Sequence, residues 1–126
     1  MDWRSWFIPG RSAKKGPIDS LRDPLQDDLD RLEQLKQGGS KLNLPHPVRN
    51  FLLLPSEKDA RQAMERLAEE GYSCQLRAVA DGRWQVIAVI QMVPRAGVVT
   101  RMREQLDEVA RTLEGEYAGW DAPFVY

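Results

Sequence analysis

Between Val48 and Tyr126 the apolar positions alternate between the two-residue period of a strand and the three-to-four-residue period of a helix. Val48 to Leu54 is a compact apolar run closed by Pro55, which reads as a strand. Ser56 offers an N-cap with Asp59 at the capping-box position, and Ala60, Ala63, Met64, Leu67 and Ala68 then recur at the spacing of one buried helix face. Gly71 supplies a left-handed stop. Tyr72, Cys74, Leu76 and Ala78 alternate with Ser73, Gln75 and Arg77, the signature of a half-buried strand, and Asp81-Gly82 marks a hairpin turn. Trp84 to Val93 forms a third strand ended by Pro94. A helix over about Arg95 to Glu114 turns Val98, Val99, Met102, Leu106, Val109, Ala110 and Leu113 inward, and Gly115 stops it. Tyr117 to Val125 reads as a fourth strand, held to an edge by Pro123. This βαββαβ order predicts an α+β, ferredoxin-like sandwich over residues 44–126: a four-stranded antiparallel sheet with two helices on one face.

Upstream, Asp23-Pro24 predicts a helix start, and Leu21, Leu25, Leu29, Leu32 and Leu35 mark one stripe of an amphipathic helix over 23–37, ended by Gly38-Gly39. Residues 1–22 hold Pro9, Gly10, Gly16 and Pro17 without periodicity and read as a flexible arm, though Trp3, Trp6 and Phe7 are aromatic surface that calls for burial. The arm carries five Lys or Arg against two Asp, and residues 23–37 carry five acids against Arg31 and Lys36, so a local +3 precedes a local −3.

Composition narrows the function. The net charge of −1 gives no general attraction to nucleic acid or anionic membrane. Trp6-Phe7-Ile8 is broken by Pro9-Gly10 and does not resemble a signal peptide, and no run approaches a membrane span. One Cys and one His cannot build a zinc site or an internal disulfide, and a cytoplasmic location is expected. Cys74 falls on the inward face of its strand as a small hydrophobe, and His46 lies between Pro45 and Pro47 on a partly exposed connector. Acid pairs such as Glu69-Glu70 and Asp107-Glu108 diverge around their helices, and neither phosphate-binding glycine motif is present. No catalytic residue, cofactor or metal ligand is predicted.

The sheet carries more. Two helices cover one side only, and the other side of an antiparallel sheet should be polar. Here strand one offers Phe51 and Leu53, and strand three offers Ile87 and Val89 between Gln85 and Gln91. An apolar patch on an uncovered side marks an interface. Three covers fit: the 23–37 helix folded back as a lid, a second copy of the chain in a homodimer, or a protein partner. Direct RNA reading is disfavoured, because the neighbours of Phe51 are aliphatic and no basic-aromatic motif accompanies it.

Several short motifs then resemble one family. Leu32-Glu33-Gln34-Leu35-Lys36-Gln37-Gly38, Pro45-His46-Pro47-Val48-Arg49-Asn50-Phe51-Leu52, Pro55-Ser56-Glu57, Glu70-Gly71-Tyr72, Met92-Val93-Pro94 and Gly115-Glu116-Tyr117-Ala118-Gly119-Trp120 are similar in order and spacing to the regulator of ribonuclease activity B (RraB) family, with Ala118 where the family's ending has an acid. The resemblance spans about residues 30–126. It implies a ferredoxin-like domain in a bacterial cytoplasm that binds ribonuclease E and inhibits it without catalysis. It implies no individual binding residues.

Overall fold

The computed structural model describes residues 24–126; the 1–22 arm, Leu21 and Asp23 lie outside them. Helix α1 (Pro24–Gln37) is followed by β1 (His46–Leu54), α2 (Glu57–Glu69), β2 (Ser73–Ala78), β3 (Trp84–Met92), α3 (Ala96–Thr112) and β4 (Glu116–Asp121). The sheet order is β2-β3-β1-β4, every neighbouring pair is antiparallel, and the helices lie on one side. This is the mixed α+β, ferredoxin-like arrangement that the hydrophobic periods predict.

Local chemistry sets the boundaries. Ser56 caps α2 by accepting the Asp59 backbone N–H at 3.1 Å and donates to the Asp59 carboxylate at 2.9 Å. Helix α2 ends in a double turn in which the Tyr72 N–H reaches the Leu67 carbonyl, with Gly71 left-handed at φ 96°. At the end of α3 the left-handed position falls to Glu114 (φ 60°) and not to Gly115. Gly115 is needed for another reason: a Cβ there would collide with the Leu53 carbonyl oxygen. The β2–β3 connection runs through a short turn at Ala80–Gly82 with Asp81 and Gly82 both at positive φ.

Strand β1 starts at His46, two residues before the apolar run. Pairing with β4 begins only at Arg49, so the missing N–H of Pro47 falls on an unpaired margin. His46 is thus not a partly exposed connector: it is fully buried. Strand β4 ends at Asp121 and not at Val125. Beyond it the chain leaves the sheet to pack on the loop after α1, where the Lys41 N–H donates to the Val125 carbonyl at 2.6 Å and the Phe124 ring fills the space over Gly38.

The core lies between sheet and helices. Val48, Leu52, Leu54, Val86 and Ala88 meet Ala60, Ala63 and Leu67 of α2 and Val99, Met102, Leu106 and Val109 of α3. Leu32 and Leu35 of α1 and Trp120 of β4 belong to the same cluster. Helix α1 packs against α3. It is therefore not a lid on the opposite side of the sheet. Its buried stripe is Asp28, Leu32 and Leu35, with Leu25 and Leu29 exposed, a rotation from the all-leucine stripe. Ala68 and Val98, expected inward, also face solvent, because Leu67 and Val99 take the inward direction and a neighbour in sequence lies about 100° round the helix.

Candidate partner-binding face

On the side of the sheet away from the helices, register brings the four predicted residues together. Phe51 pairs with Ile87, Arg49 with Val89 and Leu53 with Gln85, so Phe51, Leu53, Ile87 and Val89 form one patch across the two central strands. Strand β2 adds Ser73, Gln75 and Arg77 along one border, opposite Val89, Ile87 and Gln85. Strand β4 adds Glu116 and Asp121 along the other.

The patch is not bare. Phe51 and Leu53 are 0% and 2% exposed and Ile87 is buried, although the helices lie on the other side; Val89 alone of the four is half-buried. Arg49 flanks the patch. Its guanidinium donates twice to Asp121, Nε to Oδ1 at 2.7 Å and Nη2 to Oδ2 at 2.6 Å, and lies 5.9 Å from the centre of the Phe51 ring. A planar fork locked to one carboxylate and stacked over a ring holds the β1–β4 margin rigid. Beside Leu53, Gln85 is fully buried, and among the described residues neither polar atom of its side chain has a partner. Such orphaned groups cost about 1–3 kcal/mol each, so this amide asks for a hydrogen-bonding neighbour on the face.

A second polar cluster, which sequence reasoning missed, ties α1 to the body. Asp28 is 2% exposed and accepts from Trp120 Nε1 at 3.1 Å, Arg103 Nε at 2.8 Å and Thr100 Oγ1 at 3.4 Å. Arg31 lies over the Trp120 ring, 5.5 Å from its centre. Burial pulls the Arg31 pKa down. Burial acts the same way on Arg103, but the hydrogen bond and charge of Asp28 outweigh it and hold that guanidinium above its ordinary value. Next to this cluster the Tyr117 hydroxyl donates to Asn50 Oδ1 at 2.7 Å, while Asn50 Nδ2 donates to the Ala88 carbonyl at 3.3 Å and reaches Met102 Sδ at 3.4 Å. Burial first, and the Asp28 charge second, push the Tyr117 hydroxyl well above its usual value. The signal available in the sequence was an acid at the centre of the apolar stripe, four residues before Leu32 and seven before Leu35.

One pair has the geometry of a nucleophile and its base. Ser40 Oγ lies 2.6 Å from His46 Nε2, and His46 Nδ1 lies 2.7 Å from the Leu44 carbonyl. The same Ser40 oxygen accepts the Val125 N–H at 2.8 Å, and both side chains are buried. The arrangement fastens the chain end onto the loop before β1 and leaves no approach for a substrate. Burial raises the Cys74 thiol, which weighs against a reactive thiolate. Among the described residues no group of three His, Cys, Asp or Glu is arranged to hold a metal ion, and no helix is long and apolar enough to cross a membrane.

No curated protein matches the chain. The family model described as regulator of ribonuclease activity B matches residues 26–122, from the first turn of α1 through Trp120 and one residue past β4. Asp28, Arg103, Asn50, Tyr117 and Trp120 all lie within the matched span, as does the whole sheet, and the chain belongs to the regulator of ribonuclease activity B family.

Proposed function

We propose that this protein is a non-enzymatic inhibitor of a ribonuclease E-type enzyme in the bacterial cytoplasm, acting by protein–protein contact. The family match over residues 26–122 carries the reading, because that family regulates ribonuclease activity. The chemistry supports it: the polar clusters on the helix side and beneath the chain end are closed by their own hydrogen bonds and serve to hold elements together. The contact surface in this reading is the sheet face of Phe51, Leu53, Ile87 and Val89, bordered by Arg77, Gln75 and Ser73 on one side and by the Arg49–Asp121 pair on the other. Apolar centres with polar rims are the usual anatomy of such contacts.

The test is cleavage of a labelled single-stranded RNA by purified ribonuclease E with increasing amounts of this protein, alongside calorimetric titration of the two proteins. Saturable binding and slowed cleavage are expected. Val89→Glu, which sets a charge on the half-buried part of the face, should abolish both while leaving the melting temperature within a few degrees. Absence of binding and of inhibition by the parent protein would overturn the reading. Inhibition that Val89→Glu leaves intact would move the contact to another surface.

A further inference from the structure

Past β4 the chain sets two aromatic rings on the outside of the molecule. Phe124 and Tyr126 are 49% and 74% exposed, the most exposed large apolar side chains among the described residues. Neither ring hangs on a loose tail. The Val125 N–H donates to Ser40 Oγ at 2.8 Å, the Lys41 N–H donates to the Val125 carbonyl at 2.6 Å, and Ser40 is itself held by His46. The Phe124 ring lies on Gly38, where a Cβ would overlap it, and the Tyr126 ring lies on Gly39, where a Cβ would touch it. The two rings are 6.1 Å apart, centre to centre, and tilted by 35°. Rings that the fold fixes on one side and leaves wet on the other are suited to a ligand.

Charge selects the ligand. The turn beneath the rings carries Lys36 and Lys41, both exposed. The Lys36 carbonyl accepts the N–H of Gly39, the glycine under Tyr126, and the Lys41 main chain pairs with Val125, between the two rings. No Asp or Glu occurs from Gln34 to Ser56 or from Ala122 to Tyr126. The acids that bracket these stretches, Glu33, Glu57 and Asp121, accept from Gln37, Arg61 and Arg49. Cations beside wet rings, with no acid close in sequence, match a phosphate chain that carries flat apolar groups. Two rings make a small centre for a protein contact of roughly 800 Å² per partner, whereas a nucleobase needs one ring face and a phosphate one cation. We propose that Phe124, Tyr126, Lys36 and Lys41 form a binding site for single-stranded RNA, with bases stacked on the rings and phosphates at the two ammonium groups. The net charge of −1 adds no long-range attraction, so the affinity comes from stacking and two phosphate contacts. The site uses none of the sheet-face residues and stands independently of the function proposed above.

The experiment titrates the full chain, labelled with nitrogen-15, with an oligoadenylate of about ten nucleotides at about 50 mM salt; anisotropy of the same RNA carrying fluorescein gives the affinity. The amide signals of Gly38, Gly39, Lys41 and Val125 should shift together and saturate. Phe124→Ser and Tyr126→Ser should each weaken binding about tenfold. Tyr126, the more exposed ring, carries the test where Phe124→Ser disturbs the clasp. Tyr126→Trp, with a larger stacking face, should hold or tighten binding. Between about 50 and 200 mM salt the affinity should fall about sevenfold for two phosphate contacts, and Lys36→Gln/Lys41→Gln should remove most of that dependence. Unmoved signals at all four amides with millimolar RNA would overturn the site, as would Tyr126→Ser binding as tightly as the parent. Equal losses in Tyr126→Trp and Tyr126→Ser would overturn stacking as its basis. Loss of ribonuclease E binding in Tyr126→Ser, with no response of the parent to RNA, would overturn the site in favour of a protein contact.

Discussion

Asp28→Ala is the substitution through which the attachment of α1 is best measured. The carboxylate is 2% exposed and takes hydrogen bonds from Trp120, Arg103 and Thr100, so its removal strands a buried indole N–H and a cation that is only 19% exposed. Breaking a buried pair by deleting one partner costs about 3–5 kcal/mol. The guanidinium has partial access to water, which places the expected loss near the lower end, about 3 kcal/mol. For a domain of this size that is a fall in Tm of about 12 °C at roughly 4 °C per kcal/mol. Circular dichroism melts at pH 7 would read it, and hydrogen exchange would show protection lost first in α1, whose other anchors are Leu32 and Leu35. Gln34→Ala, on the exposed side of the same helix, is the control and should change stability by less than about 0.5 kcal/mol. A double-mutant cycle with Arg103→Ala separates the pair from general damage: the coupling should exceed about 1 kcal/mol. An Asp28→Ala loss under 1 kcal/mol, with no coupling to Arg103, would refute the reasoning and make Leu32 and Leu35 the whole attachment of α1.

Three further outcomes follow from the packing. Gly115→Ala sets a Cβ against the Leu53 carbonyl and should cost more than about 2 kcal/mol, whereas Gly97→Ala meets nothing within 4 Å at the start of α3 and should stabilise by up to about 1 kcal/mol; paired denaturant titrations check the contrast, and equal effects would refute it. Tyr72, pushed up to about 12 mainly by burial, and Tyr117, which burial also pushes well above its usual value, are both held protonated by the fold. A raised folded-state pKa means stability that is complete below the ordinary tyrosine value of about 10 and is lost as pH rises above it, so Tm should hold to about pH 10 and then fall, by up to about 1.4 kcal/mol per pH unit for each tyrosine. Tyr117→Phe should flatten that fall while lowering neutral-pH stability by about 1 kcal/mol through the unpaired Asn50 oxygen; an unchanged alkaline slope would remove Tyr117 as its source. His46→Ala should release the chain end by deleting the partner of Ser40, seen as raised hydrogen exchange at Val125 and Lys41 with a destabilisation of about 1–3 kcal/mol, and protection retained at both amides would argue against the clasp.

The elements and their pairing order were legible because each obeys one dominant local rule: alternation in β2, a spaced apolar face and a capping box in α2, a proline or glycine at most boundaries. What the sequence hid are decisions made between elements. Helix α1 reads as amphipathic by its leucines, and nothing local tells whether its stripe meets the sheet or another helix. The structure turns it so that a carboxylate faces inward, because Trp120, Thr100 and Arg103 offer three donors at that spot. His46 read as exposed because prolines flank it. Its burial depends on Ser40 and on a chain end nearly eighty residues away, contacts that no local window contains. The apolar surplus on the face of Phe51 and Ile87 was visible from alternation alone. Its burial was not, since alternation describes a sheet and is silent on what lies over it.

Strand β4 shows most sharply where alternation fails. Tyr117 and Trp120 are three residues apart, so strict alternation puts them on opposite faces, one with the helices and one with the patch. In the structure both point to the helix side. Asn50 pairs with Trp120 and Leu52 with Tyr117, so β4 advances three residues while β1 advances two, and Gly119 at φ 107° takes up the extra residue as a bulge. The one sequence sign of it is a glycine inside a strand, between two aromatic residues that both need burial. That extra residue lets the Tyr117 hydroxyl reach Asn50 and the Trp120 indole reach Asp28 from the same side of the sheet. It also leaves only Glu116, Ala118 and Asp121 of β4 facing the other way. The border of the apolar face next to Phe51 is therefore small and acidic, with no ring to crowd a partner, and its one strong fixture is the carboxylate that holds Arg49.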